Sequence, residues 1–339
     1  MTMTSSSTPN DTAARKPLSR RLRDTALIGG LLAMFLVGLI GLAAATGWEE
    51  TMAQIRKLTW AEVLILLALS MVNYLFRGLR WHMFARCLGL PTTLGQDIRH
   101  FFGGFAMSVT PGRVGELIRM RWLKRETGWS VERTAPLVLV DRASDLAAMA
   151  VILGAAALLA GMGTGIPGAG IVAVLALGAA IIATRPALLS GCVTLAYRAL
   201  GVWPRLFAKV RGAARSLRLF GSPRILSAAA LLGVIGWLAE GYAFHLLLMW
   251  MGADIGFWSA VAIFTFSTLA GGLTGAPGGV GGAEAAMIAL LGLQGIPLEV
   301  SIPATAIIRV TTLWFAIGLG LLTFPIAERI SKTHQRAPV

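Results

Sequence analysis

Three arginines and five acids fall inside stretches that are otherwise apolar: Arg113, Arg142 and Arg309, with Glu116, Asp141, Asp145, Glu240 and Glu284. A lone charge at bilayer depth costs at least ~2.5–3.5 kcal/mol on insertion scales, so such residues persist where they pair or line a wetted cavity. They mark either ion pairs that hold a helix bundle together or a path for a charged ligand. Asn73, Arg77 and Arg80 follow i, i+4, i+7 spacing and share one helical face. For them two readings stand side by side: arginines snorkelling to bulk lipid phosphates, or one wall of a site. Asp141, Arg142 and Asp145 bring two acids and a base within one turn, and Arg142 and Asp145 are spaced to pair. Glu240 and Arg309 read as partners contributed by the other half of the chain.

A motif that occurs twice supplies the elements that must position these groups. Residues 108–119 read SVTPGRVGELIR and residues 274–288 read TGAPGGVGGAEAAMI. Each is a Pro-Gly turn that interrupts an apolar stretch, restarts as a helix and carries a glutamate soon after. Irregular backbone at membrane depth is tolerated only where protein or a water-filled cavity covers it. Proline suits the first turn of a helix, so Pro111-Gly112 and Pro277-Gly278-Gly279 predict second arms that begin deep in the membrane. The free N–H groups and positive dipole end of such an arm form an anion site. Arg113 adds a full charge to the first tip, and Glu116 lies one turn on. The second tip lacks the arginine, and Glu284 takes the acidic position.

Composition places the chain among integral membrane proteins: 56% of its 339 residues are hydrophobic, only 14% are charged, and the mean hydropathy is +0.72. The net charge of +14 raises nucleic acid as a partner, but no recognition helix, zinc spacing or aromatic-basic interleaving accompanies it. Two cysteines imply neither a disulfide framework nor a metal site, and the four histidines lack ligand spacing. No phosphate-binding loop of the G-x-x-x-x-G-K-[ST] type is present, so an ATP-driven pump in this chain is not expected. The reading needs no cofactor and no metal.

Spans are expected at about 26–45, 61–80, 134–160, 167–184, 225–250 and 302–326, with re-entrant hairpins at 98–123 and 258–294. Ala43-Ala44-Ala45 resembles a cleavage site, yet a signal h-region has ~7–15 residues and the run 26–45 has 20, which favours a retained helix. Of 30 Lys and Arg, 25 fall on one side of this layout and only Arg56 and Lys57 on the other. The positive-inside rule then puts both termini in the cytoplasm. The two hairpins must enter from opposite sides, and Pro111 to Arg142 spans 31 positions against 32 from Pro277 to Arg309. Similar spacing with opposite polarity is the pattern of an inverted-topology repeat. The expected organisation is a basic N-terminus at 1–24, repeat A at 61–160, a cytoplasmic linker at 185–224, repeat B at 225–327 and a short tail at 329–339. The fold class is thus an all-α integral membrane protein of about six transmembrane helices plus two re-entrant hairpins.

The run NYLFRGLRW at 73–81, PGRVGE at 111–116, DRASD at 141–145, PGGVGGAE at 277–284 and the late Arg309 with Trp314 together resemble the lysylphosphatidylglycerol synthase transmembrane region, a flippase-like domain. Where that pattern would read Glu-Arg, the chain has Asp141-Arg142. The resemblance implies an inner-membrane protein that moves an aminoacyl-phospholipid, or a glycolipid or polyprenyl- or hopanoid-linked lipid, between leaflets. It also implies lipid- or glycan-synthesising enzymes as partners. About a dozen residues follow the last span, so no aminoacyl-transferase domain is expected and the chain is read as a carrier rather than an enzyme. The alternatives are an intramembrane enzyme acting on a lipid phosphate or lipid-linked sugar, with Glu116 and Asp145 as acid and base, and a non-transporting scaffold for envelope synthesis.

Overall fold

Reciprocal capping fixes where the first two helices begin. Glu62 N donates to Thr59 Oγ1 at 3.3 Å and Thr59 N to the Glu62 carboxylate at 2.7 Å, opening α1 (Trp60–Cys87). Thr93 and Gln96 repeat the arrangement at 3.3 and 2.8 Å for α2 (Leu94–Phe105). In this computed structural model, residues 58–110, 117–159, 169–200 and 217–334 are described, with isolated positions between 33 and 56. The expected span at 26–45 and the tip residues Pro111, Gly112, Arg113 and Glu116 lie outside the described residues.

The series continues with α3 (Ile118–Thr127), α4 (Val131–Leu159), α5 (Ala169–Thr184), α6 (Pro186–Leu200) and α7 (Pro223–Trp250). It ends with α8 (Phe257–Leu273), α9 (Gly282–Leu293), α10 (Leu298–Arg309) and α11 (Phe315–His334). A π-helical turn, Val310–Trp314, joins the last two into one rod. Every regular element among the described residues is helical, so the protein is an all-α membrane protein. Large apolar side chains such as Leu64, Val151, Leu158, Val174 and Leu322 face outward, as lipid contact requires.

Four helices are long and apolar enough to cross a membrane: α1, α4, α7 and the rod Leu298–Thr333. The span expected at 167–184 is shorter. Helix α5 has 16 residues, or about 24 Å at ~1.5 Å per residue, and α6 turns away from it by 97°. Pro186 explains the turn, because its ring and missing N–H break the ladder of a continuing helix. The stretch expected as a linker therefore contains helix α6 and a 3₁₀ turn, Leu217–Phe220.

The two hairpins also differ. Helices α8 and α9 are both apolar and meet at a turn where Gly275, Gly278, Gly279 and Gly281 take positive φ. In the first hairpin neither arm is apolar throughout: α2 carries Gln96, Asp97, Arg99 and His100 before its apolar end, and α3 carries Arg119, Arg121, Lys124 and Arg125 within ten residues. Sequence reading placed the apolar stretch through residue 123, whereas only Ile118, Met120, Trp122 and Leu123 on α3 are apolar. The 3₁₀ turn Ala106–Val109 after α2 touches the turn Pro277–Gly279, so the end of the first hairpin's leading arm meets the tip of the second.

The first and second parts of the chain meet along α1 and α7. Helices α1 and α7 have 28 residues each, and Asn73 and Gly236 are each the fourteenth residue of their helix. A Cβ on Gly236 would meet Asn73 Oδ1 at 2.8 Å, and one on Gly233 would meet Arg80 Nη1 at 2.9 Å, so the two helices run antiparallel. In this register Tyr74 matches Trp237, Arg77 matches Glu240 and Gly78 matches Gly241. Helix α2 packs on α11 of the other half, while α8 packs on α4. Three apolar clusters fill the interior of the described residues, and along α4 the acids Asp141 and Asp145 fall between Val140 of one cluster and Ala148 of another.

Candidate functional site

Arg77 and Arg80 lie one turn apart on α1 and reach across to α4. Arg77 Nη2 is 2.8 Å from Asp145 Oδ2, and Arg80 Nη2 is 2.8 Å from Asp141 Oδ1 and 2.6 Å from Asp145 Oδ1. Arg80 also donates to the backbone carbonyl of Asp141 at 3.3 Å. From α7, Trp237 Nε1 donates to Asp145 Oδ1 at 3.2 Å, and its ring covers the Arg77 guanidinium at 5.0 Å. Gly233 leaves the space that the Arg80 head occupies. Three helices thus share one charge network, and truncating either side strands a charge away from water.

Arg142 closes the network from the edge, 2.7 Å from Asp141 Oδ2 and 3.3 Å from Asp145 Oδ2. The spacing of residues 142 and 145 predicted the second contact; the shorter one, to the adjacent Asp141, was not foreseen. Arg80 and Arg142 exchange the places that sequence gave them. The Arg80 side chain is 0% exposed, whereas that of Arg142 is 28% exposed. Snorkelling to bulk lipid is therefore not what Arg80 does.

A second network lies on the helices of the second half of the chain. Arg309 Nε is 2.5 Å from Glu284 Oε1, and Arg309 Nη2 donates to the Gly278 carbonyl at 2.9 Å. Glu284 Oε2 accepts from Gly281 N at 2.6 Å, so this carboxylate caps the start of its own helix, α9. The second half-helix tip, expected to be open to a ligand anion, is occupied by a side-chain carboxylate three residues in. Pro277 and Gly279 shape the turn, with Val280 N donating to the Pro277 carbonyl at 3.1 Å and Gly279 N to the Ala276 carbonyl at 2.9 Å. Gly278 sits at φ +62°, and Leu313 occupies the space a Cβ would need. The first tip, with Pro111, Gly112, Arg113 and Glu116, lies outside the described residues.

Glu240 lies between the two networks. It is 4% exposed, sits beside Asn73, and is within electrostatic reach of Arg77, Arg309 and Asp145. Among the described residues it has no ion-pair partner. Nearby, Tyr74 Oη donates to the Thr312 carbonyl at 2.5 Å inside the π turn, tying α1 to the α10–α11 rod. A π turn interrupts the regular ladder, and such turns occur often at functional sites. Counted together, Arg77, Arg80, Arg142 and Arg309 face Asp141, Asp145, Glu240 and Glu284, so the described charges of this region balance.

Several polar residues outside the predicted set have structural roles. Arg119 is buried against the rings of Trp81 at 5.2 Å and Phe101 at 4.4 Å, and Gly104 leaves room for its guanidinium. Glu328 accepts from Arg121 at 2.6 Å, Trp122 Nε1 at 2.8 Å and Arg125 at 2.8 Å, fastening α3 to α11. Position in sequence hid both: Arg119 reads as one of a basic run, and Glu328 as the edge of a tail. Among the described residues no group of three or more His, Cys, Asp or Glu is placed to hold a metal.

No curated relative matches the chain at a significant level. Residues 26–320 match the family model described as the lysylphosphatidylglycerol synthase TM region. That span takes in both hairpins and both charge networks, so the chain belongs to this family and is a multi-pass membrane protein of lipid or envelope biosynthesis or transport.

Proposed function

We propose that the protein is a carrier that moves a lipid with a phosphate-bearing or otherwise anionic head group between the leaflets of a bacterial inner membrane, with its Lys/Arg-rich face in the cytoplasm. The observation that carries this reading is Glu240, a buried carboxylate without an ion-pair partner among the described residues, flanked by Arg77 from one half and Arg309 from the other. Among the described residues the network is charge-balanced with no spare cation, so an anionic head group enters by exchange. Each arginine trades a chain carboxylate for a ligand phosphate and the displaced carboxylate takes up a proton, so neither group is left as an isolated buried charge. Because α1 and α7 cross at Asn73 and Gly236, rocking one half against the other changes which side of the crossing is open. No chemical bond in the lipid needs to change, so the carrier is not read as an enzyme. Enzymes that make or glycosylate the lipid are the natural partners.

Reconstitution into liposomes containing a fluorescent phosphatidylglycerol, with an impermeant quencher outside, tests the reading. The wild-type protein is expected to move intact lipid across the bilayer. Glu240→Gln and Arg77→Gln are expected to slow this roughly tenfold, about 1.4 kcal/mol in the barrier, while Arg86→Gln at the exposed end of α1 leaves it unchanged. A chemically altered lipid would transfer the assignment to an intramembrane enzyme, and no movement above protein-free liposomes would remove it.

A further inference from the structure

A second feature lies beside the charge network, where Val140 of α4 faces the break between α5 and α6. Where α5 breaks into α6, a cavity of about 240 Å³ opens between Arg185, Arg218 and an apolar wall of Val140, Leu217, Phe220 and Leu226. At ~30 Å³ per water-sized group it has room for about eight such groups, the scale of a phosphate with its glycerol. Among the described residues neither arginine has an ion-pair partner, and the sequence from 185 to 224 contains no Asp or Glu. The start of α7 adjoins this cavity, and its N-cap Ser222 makes no side-chain capping bond, so positive backbone potential adds to the arginines. From Pro186 onward, Ala187, Gly191 and Thr194 give α6 a furrow of small side chains that leads away toward Arg198. A phosphate over the arginines and an acyl chain along the furrow satisfy both the charge and the apolar surface.

We propose that this cavity is a binding site for an anionic glycerophospholipid of the leaflet on the Lys/Arg-rich face, with the phosphate between Arg185 and Arg218. Val140 forms one wall and its neighbour Asp141 accepts from Arg80, so the bound lipid stands one residue from the central network. The site does not depend on the carrier reading, because none of its arginines belongs to that network.

Hydrogen–deuterium exchange of the full chain in detergent micelles, with added dioleoylphosphatidylglycerol or dioleoylphosphatidylcholine, decides the matter. The anionic lipid is expected to slow exchange in peptides covering 184–194 and 217–226, and the zwitterionic lipid is not. Arg185→Gln and Arg218→Gln are each expected to weaken the apparent affinity about fivefold, the size of one basic side chain at an anionic surface. Both positions are exposed, and an unchanged helical circular dichroism spectrum checks that the variants fold. Equal protection by the two lipids, protection that survives the double variant, or the same protection by inorganic phosphate alone would each overturn the proposal. Because peptides from α1 and α4 report the central network separately, loss of transport with this protection intact would sink only the carrier reading.

Discussion

Arg80 is the residue whose environment says most about this molecule. Its guanidinium is wholly enclosed and bridges two carboxylates, whereas Arg142 touches the same two acids from a partly exposed position. Removing one partner of a buried ion pair typically costs ~3–5 kcal/mol, because the other charge is left without water. Water reaches the edge of the network and softens the loss of Arg142 toward the ~1 kcal/mol of a surface pair. Arg80→Gln is therefore expected to lower the thermal unfolding midpoint in detergent far more than Arg142→Gln. Equal shifts would mean that water fills the network and that burial does not set its energetics. In sequence, the face formed by Asn73, Arg77 and Arg80 was visible from its spacing. Which arginine went deepest was not, because depth here is decided by Gly233, a position on a different helix with no chemistry of its own.

At the scale of elements, the break in the apolar stretch 258–294 was legible because backbone rules act locally, although the helix restarts at Gly282 and not at Pro277; the restart at Pro111 lies outside the described residues. The asymmetry between the hairpins was harder to see. Glycine density at 271–282 marks a turn that must take positive φ and pack tightly, while the basic run of α3 resembles an ordinary loop until Glu328 is found beneath it. The α11 rod seats on the first hairpin through Gly320, where an added Cβ would collide with Ala106 N, a backbone atom that cannot move aside cheaply. Gly320→Ala is expected to destabilise the protein by about 1–3 kcal/mol, the usual range for overpacking. Gly318→Ala on the same helix, with nothing within 4 Å, serves as the neutral control. Parallel unfolding curves of the two variants measure how closely the end of α2 and the rod are packed; identical midpoints would place the rod farther from the hairpin.

For the whole molecule, charge distribution gives orientation a physical cause. The membrane potential and anionic lipids favour Lys and Arg on the cytoplasmic side, and 25 of 30 basic residues lie on one side of the expected layout. The antiparallel crossing of α1 with α7 is what halves inserted with opposite sense would give, the arrangement that the hairpin polarity in the sequence leads one to expect. Span count was less legible, because the apolar run of α5 ends at a proline bend that composition does not weigh. Orientation is open to direct test through a native residue. Cys192 is exposed on α6, within the segment 185–224 that holds eight Lys or Arg and no acid. With Cys87→Ser removing the other thiol, an impermeant maleimide is expected to label Cys192 in inverted membrane vesicles and not in intact spheroplasts. Labelling from outside would invert the whole molecule, put its basic face against the positive side of the potential, and require some force other than charge to have set the topology.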